Sequence, residues 1–309
     1  GDTAQLPPVQ INLSPALSKE ELELQFNFDI QNILLEDVVR QNSSSGILFN
    51  ATNIRNLLVS ECFEGFKFHL DGFKDVFRIQ EGNEFMELLE GSLNEEGSDQ
   101  TILIVRSNKR ANLYSQQIRA KIRWQEDEVS VGDYLMVVRN NYFWLPEGSK
   151  AGFIANGDTV EVLRIYEINK LYNYRFARLS VRMVDYPDEK NLDVIVLLDT
   201  LNSETPAMTY HEYKALYAAV EEDYKDIAHK HQRNKEIKQN PYFNALQVKF
   251  AYAITCHKSQ GGQWENVFIE QGYFTLDMMG KEYLRWLYTA ITRAKKKLYF
   301  INFKDDFFK

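Results

Sequence analysis

The feature that most constrains this chain lies near its end. From Val248 to Ile254 apolar side chains recur at alternate positions (Val248, Phe250, Tyr252, Ile254), the period of a buried strand. The run then breaks into Thr255-Cys-His-Lys-Ser-Gln-Gly-Gly262. A strand that ends in hydroxyl, imidazole, ammonium and amide donors followed by glycines suits a phosphate or nucleic-acid site in an α/β sheet. A capped strand-to-helix turn, with Thr255 as the N-cap, accounts for the same residues. The rest of the chain decides between the two.

At 309 residues the chain can form two or three domains, each with its own core. The net charge of −8 argues against a nucleic-acid partner, but its distribution argues for one. Residues 1–100 hold 18 acidic and 6 basic side chains. Residues 101–125 hold six basic ones (Arg106, Lys109, Arg110, Arg119, Lys121, Arg123) and no acid, and residues 281–309 hold eight basic and three acidic ones. Two basic patches beside an acidic part fit a polyanion bound at one face, although a solvated helix face has the same composition. Neither Cys62 nor Cys256 has metal-ligand spacing, no apolar run has the length of a membrane span, and none has the makeup of a signal peptide. The expectation is a reducing, cytoplasmic setting and no metal site. His229 and His231 read as solvent-exposed. Gly1-Asp2 reads as the tail of a strand, so a fragment of a longer protein, or a processed or engineered chain, is expected.

Taken in order, Gly1 to Pro8 is a polar turn stopped by two prolines. Residues 18–90 read as mainly helical, with a helix expected over 47–58 and a short edge element at Phe73–Phe77. Gly91–Asp99 reads as a linker and the best domain boundary. Thr101–Val105 is a continuous apolar run that suits a parallel strand covered on both faces. The polar crest Arg106-Ser-Asn-Lys-Arg follows it, then a helix to about Trp124. From Val129 to Leu198 four or five strand-like runs alternate with turn signals such as Asn156-Gly157-Asp158, indicating a small β-barrel. Tyr142, Phe143 and Trp144 suit either base stacking or the barrel core. A helix is expected over 210–223, then strands at 267–270 and 297–303 around a helix at 282–294.

Four stretches resemble motifs of superfamily 1 DNA helicases, in the RecD-like branch. Gly1-Asp-x-x-Gln5-Leu-Pro-Pro8 is similar to motif III, Leu35–Gln41 to motif IV, Thr255-x-His-Lys-Ser-Gln-Gly261 to motif V and Leu287-Tyr-Thr-Ala-Ile-Thr-Arg-Ala294 to motif VI. Gly132-Asp133 with Arg139-Asn-Asn-Tyr142 and Asn156-Gly-Asp158 looks like the SH3-like insertion of that branch. The resemblance implies an α/β fold of the P-loop NTPase type. Residues 1–95 would end a first RecA-like domain. Residues 96–126 and 243–309 would form the second, with a barrel and helical linker inserted at 127–242.

It implies roles as well. Gln5 and Arg40 would reach the γ-phosphate, and Arg293 would be the arginine finger that stabilises charge on the transferred phosphoryl group. Gly261 and Gln263 would face the nucleotide. Gln263 stands where relatives carry Glu, and Glu265 is one step too far on a helix to replace it. Thr255, His257, Lys258 and Ser259 would hold single-stranded DNA, and Ser107, Asn108 and Lys109 its backbone. The resemblance further implies ATP- and Mg²⁺-driven movement on single-stranded DNA, 5′ to 3′, in recombination and repair. Some such proteins are alpha subunits of exodeoxyribonuclease V. No nuclease carboxylate cluster is visible, so a nuclease would be a partner subunit. The sequence contains no Gly-x-x-x-x-Gly-Lys-Ser/Thr loop, so these 309 residues alone are expected to be inactive. A non-catalytic nucleic-acid-binding module and an RNA helicase of the same superfamily are the alternatives.

Overall fold

The structure is a computed structural model and describes all residues except 10, 28, 32, 34–43, 64 and 309. The chain divides into two compact units, Gly1–Arg106 with Thr255–Lys309, and Ser107–Ile254. The helices are α1 (Lys19–Phe26), α2 (Gly46–Ser60), α3 (Gly82–Glu96), α4 (Asn108–Lys121), α5 (Tyr210–Glu221), α6 (Lys230–Gln239) and α7 (Lys281–Ile291). The strands are β1 (Val76–Ile79), β2 (Thr101–Val105), β3 (Tyr134–Val137), β4 (Thr159–Leu171) and β5 (Tyr174–Met183). Then come β6 (Leu192–Leu197), β7 (Leu246–Phe250), β8 (Ala253–Thr255), β9 (Trp264–Glu270) and β10 (Ala294–Ile301).

The first unit carries a sheet in the order β1-β10-β9-β2-β8, with β1, β10, β9 and β2 mutually parallel. All five residues of β2 are buried, as its unbroken apolar run requires. Aromatic side chains fill the space around β9 and β10: Phe268 stacks on Tyr299 at 4.3 Å and Phe68 on Phe300 at 4.0 Å. α2 starts where Ser45 accepts the Leu48 amide, and Asp75 accepts the Gly46 amide at 2.9 Å. Residue 46 has to be glycine, since a Cβ there would meet Phe73 and Val76 at 2.6–2.7 Å.

The second unit is a closed barrel, β3-β4-β5-β6-β7, with α4, α5 and α6. Leu216 and Val220 of α5 and Ile237 of α6 pack on Phe176, Ile195 and Leu197 of the barrel. Arg119 of α4 is 2 % exposed, and its Nε and Nη2 each reach the fully buried Asp133 carboxylate at 3.0 Å.

The structure differs from the sequence reading in several places. Val248–Ile254 is two strands: β7 pairs with β3 and β6 in the barrel, the chain bends at Ala251-Tyr252, and β8 joins the other sheet. Every residue of β7 is buried, so alternation gave no warning of the break. The barrel therefore closes beyond residue 242. Gly91 lies inside α3, which runs to Glu96, and β1 enters the same sheet as β9 and β10, so no break falls at 91–99. α4 groups with the barrel, because the buried Arg119–Asp133 pair ties it there. Residue 265 is on a strand, where Glu265 meets Lys295 at 2.8 Å and Lys296 at 3.2 Å. Thr255 opens a tight turn in place of a helix.

Candidate functional site

The site is built on the turn that leaves β8. The Thr255 carbonyl accepts the amides of Lys258 (2.9 Å) and Ser259 (3.2 Å), which curls the backbone. Cys256 and Ser259 point inward and His257 outward. The Ser259 hydroxyl is fully buried and donates to the Cys256 carbonyl at 2.8 Å. Of the four residues read as DNA contacts, His257 is thus exposed, Thr255 and Lys258 are half-buried, and Ser259 shapes the turn. Burial lowers the Lys258 ammonium below its ordinary range, because charge is disfavoured where water is excluded. His257, exposed at the surface, is still partly shielded from water by neighbouring protein, which lowers it as well, with Glu282 acting the other way.

Two glycines carry the chain on to β9. Gly261 adopts φ +87°, a left-handed conformation that glycine takes without strain. Gly262 lies under the Trp264 ring, which a Cβ would meet at 2.3 Å. Gln263 is exposed between them and the strand.

α7 closes the site from the side. Gly280 precedes it, and Tyr283, Leu284, Leu287, Ala290 and Ile291 bury one continuous face. At its end Arg293 is only 4 % exposed. Its guanidinium donates to the Thr289 carbonyl (3.0 Å), the Gly262 carbonyl (3.2 Å) and the Thr292 hydroxyl (3.0 Å). In return the Arg293 carbonyl accepts the Trp264 amide at 3.0 Å.

The amino-terminal segment docks on the same elements. The Leu6 amide donates to the Thr289 hydroxyl at 2.9 Å, and the Gln260 side chain donates to the Leu6 carbonyl at 2.7 Å. Gln5, next in the chain, is half-buried and has no side-chain partner among the described residues. Asp2, Arg55 and Tyr288 form a closed triangle: Arg55 donates to Asp2 (2.9 Å) and to the Tyr288 hydroxyl (3.0 Å), and Tyr288 donates to Asp2 (2.9 Å). Sequence reasoning missed this triangle. Asp2 and Tyr288 lay inside quoted motifs, but Arg55 sits mid-helix with no local signal.

The structure therefore brings Gln5, Thr255, His257, Lys258, Ser259, Gly261, Gln263 and Arg293 into one unit, on the turn after β8, the end of α7 and the segment bonded to both. Arg40 lies outside the described residues. Ser107, Asn108 and Lys109 fall in the barrel-bearing unit. There Ser107 caps α4 by accepting the Arg110 amide, and Lys109 pairs with Glu204 at 3.4 Å on the surface. Tyr142 is 72 % exposed and stacks on Phe153, whereas Trp144 packs inward and donates to the Asn244 carbonyl at 2.8 Å. His229 and His231 are exposed. Among the described residues no helix is long and apolar enough to cross a membrane.

Residues 250–301 match the family described as UvrD-like helicase C-terminal domain. The matched span holds the Thr255–Gly261 and Leu287–Ala294 motifs, so the superfamily 1 helicase resemblance stands there without singling out the RecD-like branch. An uncharacterized protein of Methanocaldococcus jannaschii is 48% identical over 60 residues, 19% of this chain and 5% of that protein. An uncharacterized protein of Acanthamoeba polyphaga mimivirus is 20% identical over an alignment of 342 residues, 97% of this chain and 68% of that protein. Among solved structures, a Pif1 helicase from Bacteroides in complex with ADP-AlF3 and ssDNA is 14% identical, with a TM-score of 0.48, over 100% of this chain and 63% of that one. A Pif1 helicase from Candida albicans is 15% identical, with a TM-score of 0.43, over 100% of this chain and 64% of that one. The chain thus spans less than two thirds of the length of these solved chains.

Proposed function

We propose that this chain is the carboxyl-terminal part of an ATP-driven translocase of superfamily 1 that moves on single-stranded DNA. The observation that carries the reading is the convergence of three motif-like segments inside one unit, two of them within the matched span. Leu6 bonds Thr289, Gln260 bonds Leu6, and Arg293 bonds Gly262. A shift of the nucleotide-side residues Gln5 or Arg293 is then a shift of the backbone that carries Thr255, His257 and Lys258. Such a linkage is what turning hydrolysis into movement requires.

In this reading Thr255, His257 and Lys258 meet the strand, with Ser107, Asn108 and Lys109 as further backbone contacts. Ser259 acts through the turn it braces. Gln5, Arg40, Gly261, Gln263 and Arg293 face ATP in the full-length protein. ATP and Mg²⁺ would need a phosphate-binding loop and Mg²⁺-binding carboxylates that are not recognisable in these 309 residues, so the chain alone hydrolyses no ATP. Movement 5′ to 3′, a RecD-like place in recombination and repair, partner nuclease subunits and a cytoplasmic setting belong to the same reading.

One observation favours a second reading, in which the motor motifs persist only as architecture around a nucleic-acid-binding module. Arg293 is buried, and three of its N–H groups are bonded to Thr289, Gly262 and Thr292 of its own unit. The deciding measurement is ATP hydrolysis by the full-length protein with single-stranded DNA, with RNA and with neither. Arg293→Ala and the gentler Arg293→Lys are compared with wild type. The motor reading expects DNA to stimulate hydrolysis, and both variants to lose most of it while keeping DNA binding. No hydrolysis by the wild type, or none lost in the variants, leaves the architectural reading. Stimulation by RNA in place of DNA makes the protein an RNA motor.

A further inference from the structure

Ligands of open α/β sheets bind outside the carboxyl ends of the strands. Here β8, β2 and β9 are neighbours, and β2 and β9 run parallel. The Cys256 amide donates to the Val105 carbonyl at 3.3 Å, so β8 and β2 end together. The chain leaves this edge at three places within one unit: Arg106 after β2, His257 after β8, and Gln271-Gly272-Tyr273 after β9. The sequence reading used the first, through Ser107, Asn108 and Lys109, and the second, and passed over the third.

Tyr273 is 79 % exposed, and its ring and hydroxyl have no partner among the described residues. Its backbone, in contrast, is fixed. The Arg106 guanidinium donates to the Tyr273 carbonyl at 3.1 Å and lies over the rings of Tyr283 (5.4 Å) and Trp286 (5.7 Å). Gly272 turns the chain with φ +71° beside the Arg106 stem. The mount also reaches the turn after β8, because the Cys256 thiol donates to the Trp286 carbonyl at 3.4 Å. A large aromatic ring held in water on a fixed backbone, at a ligand-binding edge and beside a cation, has the makeup of a base-stacking platform.

We propose that Tyr273 stacks on a base of single-stranded nucleic acid crossing the edge formed by Thr255, His257 and Arg106. Arg106 is its positioning residue. The inference rests on the single-strand reading above and adds a base contact to it. Stacking on tyrosine is indifferent to base identity, which suits a protein that must pass along any sequence.

The test is fluorescence anisotropy of a labelled oligo(dT) with the 309-residue chain at several salt concentrations. Tyr273→Ala weakens binding by about 5- to 150-fold, the range set by one base stacked on an aromatic ring. The salt slope does not change, because tyrosine releases no counterions. Tyr273→Phe and Tyr273→Trp keep wild-type affinity. Arg106→Gln weakens binding to a similar extent, and the double variant Arg106→Gln/Tyr273→Ala is no weaker than Tyr273→Ala alone. Wild-type affinity in Tyr273→Ala, against a wild type that binds, overturns the stacking role and leaves the single-strand reading intact. Additive losses in the double variant overturn the positioning role of Arg106. A wild-type chain that binds no oligo(dT) removes the single-strand reading itself, and this inference with it.

Discussion

Arg293 donates from Nη1 to the carbonyl oxygen of Gly262 at 3.2 Å, so the end of α7 holds the glycine turn that precedes β9. The same guanidinium closes the last turn of α7 through Thr289 and Thr292. A charge this deeply placed is tolerated because neighbouring oxygens accept its protons.

Arg293→Ala is therefore expected to destabilise the unit even without nucleotide, by about 1–3 kcal/mol, since it leaves the part-buried Gly262 carbonyl without this donor, while the Thr289 carbonyl keeps the Thr292 hydroxyl. Arg293→Lys, which keeps the charge and one of the bonds, loses less. Urea denaturation of the 309-residue chain measures both. Hydrogen exchange at the Trp264 amide, whose acceptor is the Arg293 carbonyl, should quicken in step. A stability change below about 0.5 kcal/mol would show that the bonds seen here carry no weight.

The barrel has its own keystone. Asp133 accepts Arg119 through both carboxylate oxygens, the Tyr252 hydroxyl at 3.0 Å and the Ser130 amide at 2.7 Å, and the Arg119 guanidinium lies 4.3 Å from the Phe250 ring centroid. Asp133→Asn leaves the buried guanidinium without its counter-charge and is expected to cost about 3–5 kcal/mol. Arg119→Met with Asp133→Leu removes both charges and should cost clearly less. If the single variant unfolds outright, the double variant still decides, because a double variant as damaged as the single one refutes the ion-pair account. Guanidinium denaturation followed by circular dichroism makes the comparison.

What the sequence reading recovered is what local pattern encodes. β2 follows from an unbroken apolar run, α5 from helical spacing, and the barrel from short strands at regular turn spacing. The Thr255–Gly261 turn came from an abrupt change in chemistry. What it misread depends on partners far away in sequence. Phe250 and Ile254 look alike in an alternating run. Yet Phe250 is claimed by Arg119 of α4, and Tyr252 by Asp133, which splits the run between two units. Arg55 carries no local mark of its bond to Asp2, 53 residues away, and Arg106 none of its bond to Tyr273, 167 residues away. Ser259 was read by residue type as a contact, but its hydroxyl is spent on Cys256.

The two cysteines should respond very differently to a thiol reagent. Cys256 is buried, and burial pushes its thiol up to about 12, so almost no thiolate exists at neutral pH. Cys62 is exposed. Ellman titration of the native chain is expected to give one fast equivalent, abolished by Cys62→Ser, and a second only on unfolding. Two fast equivalents in the native state would mean that the turn after β8 opens readily.

His257 offers a pH test of the nucleic-acid contact. Surrounding protein disfavours the imidazolium, and Glu282 only partly offsets this, so the folded state binds the proton less readily than the ordinary value of 6.5. The unfolded chain is then protonated first as pH falls. The stability this residue contributes is present above the ordinary range and is lost as pH drops below it. A phosphate beside His257 reverses the preference, because the negative charge favours the protonated ring. Saturating oligo(dT) is expected to raise the His257 pKa, and binding to strengthen from pH 7 to pH 5.5. His257→Asn should flatten that part of the profile without abolishing binding, since Thr255 and Lys258 remain. Nuclear magnetic resonance of the imidazole ring follows the titration directly. A His257 pKa unmoved by bound DNA would place the strand elsewhere on the unit.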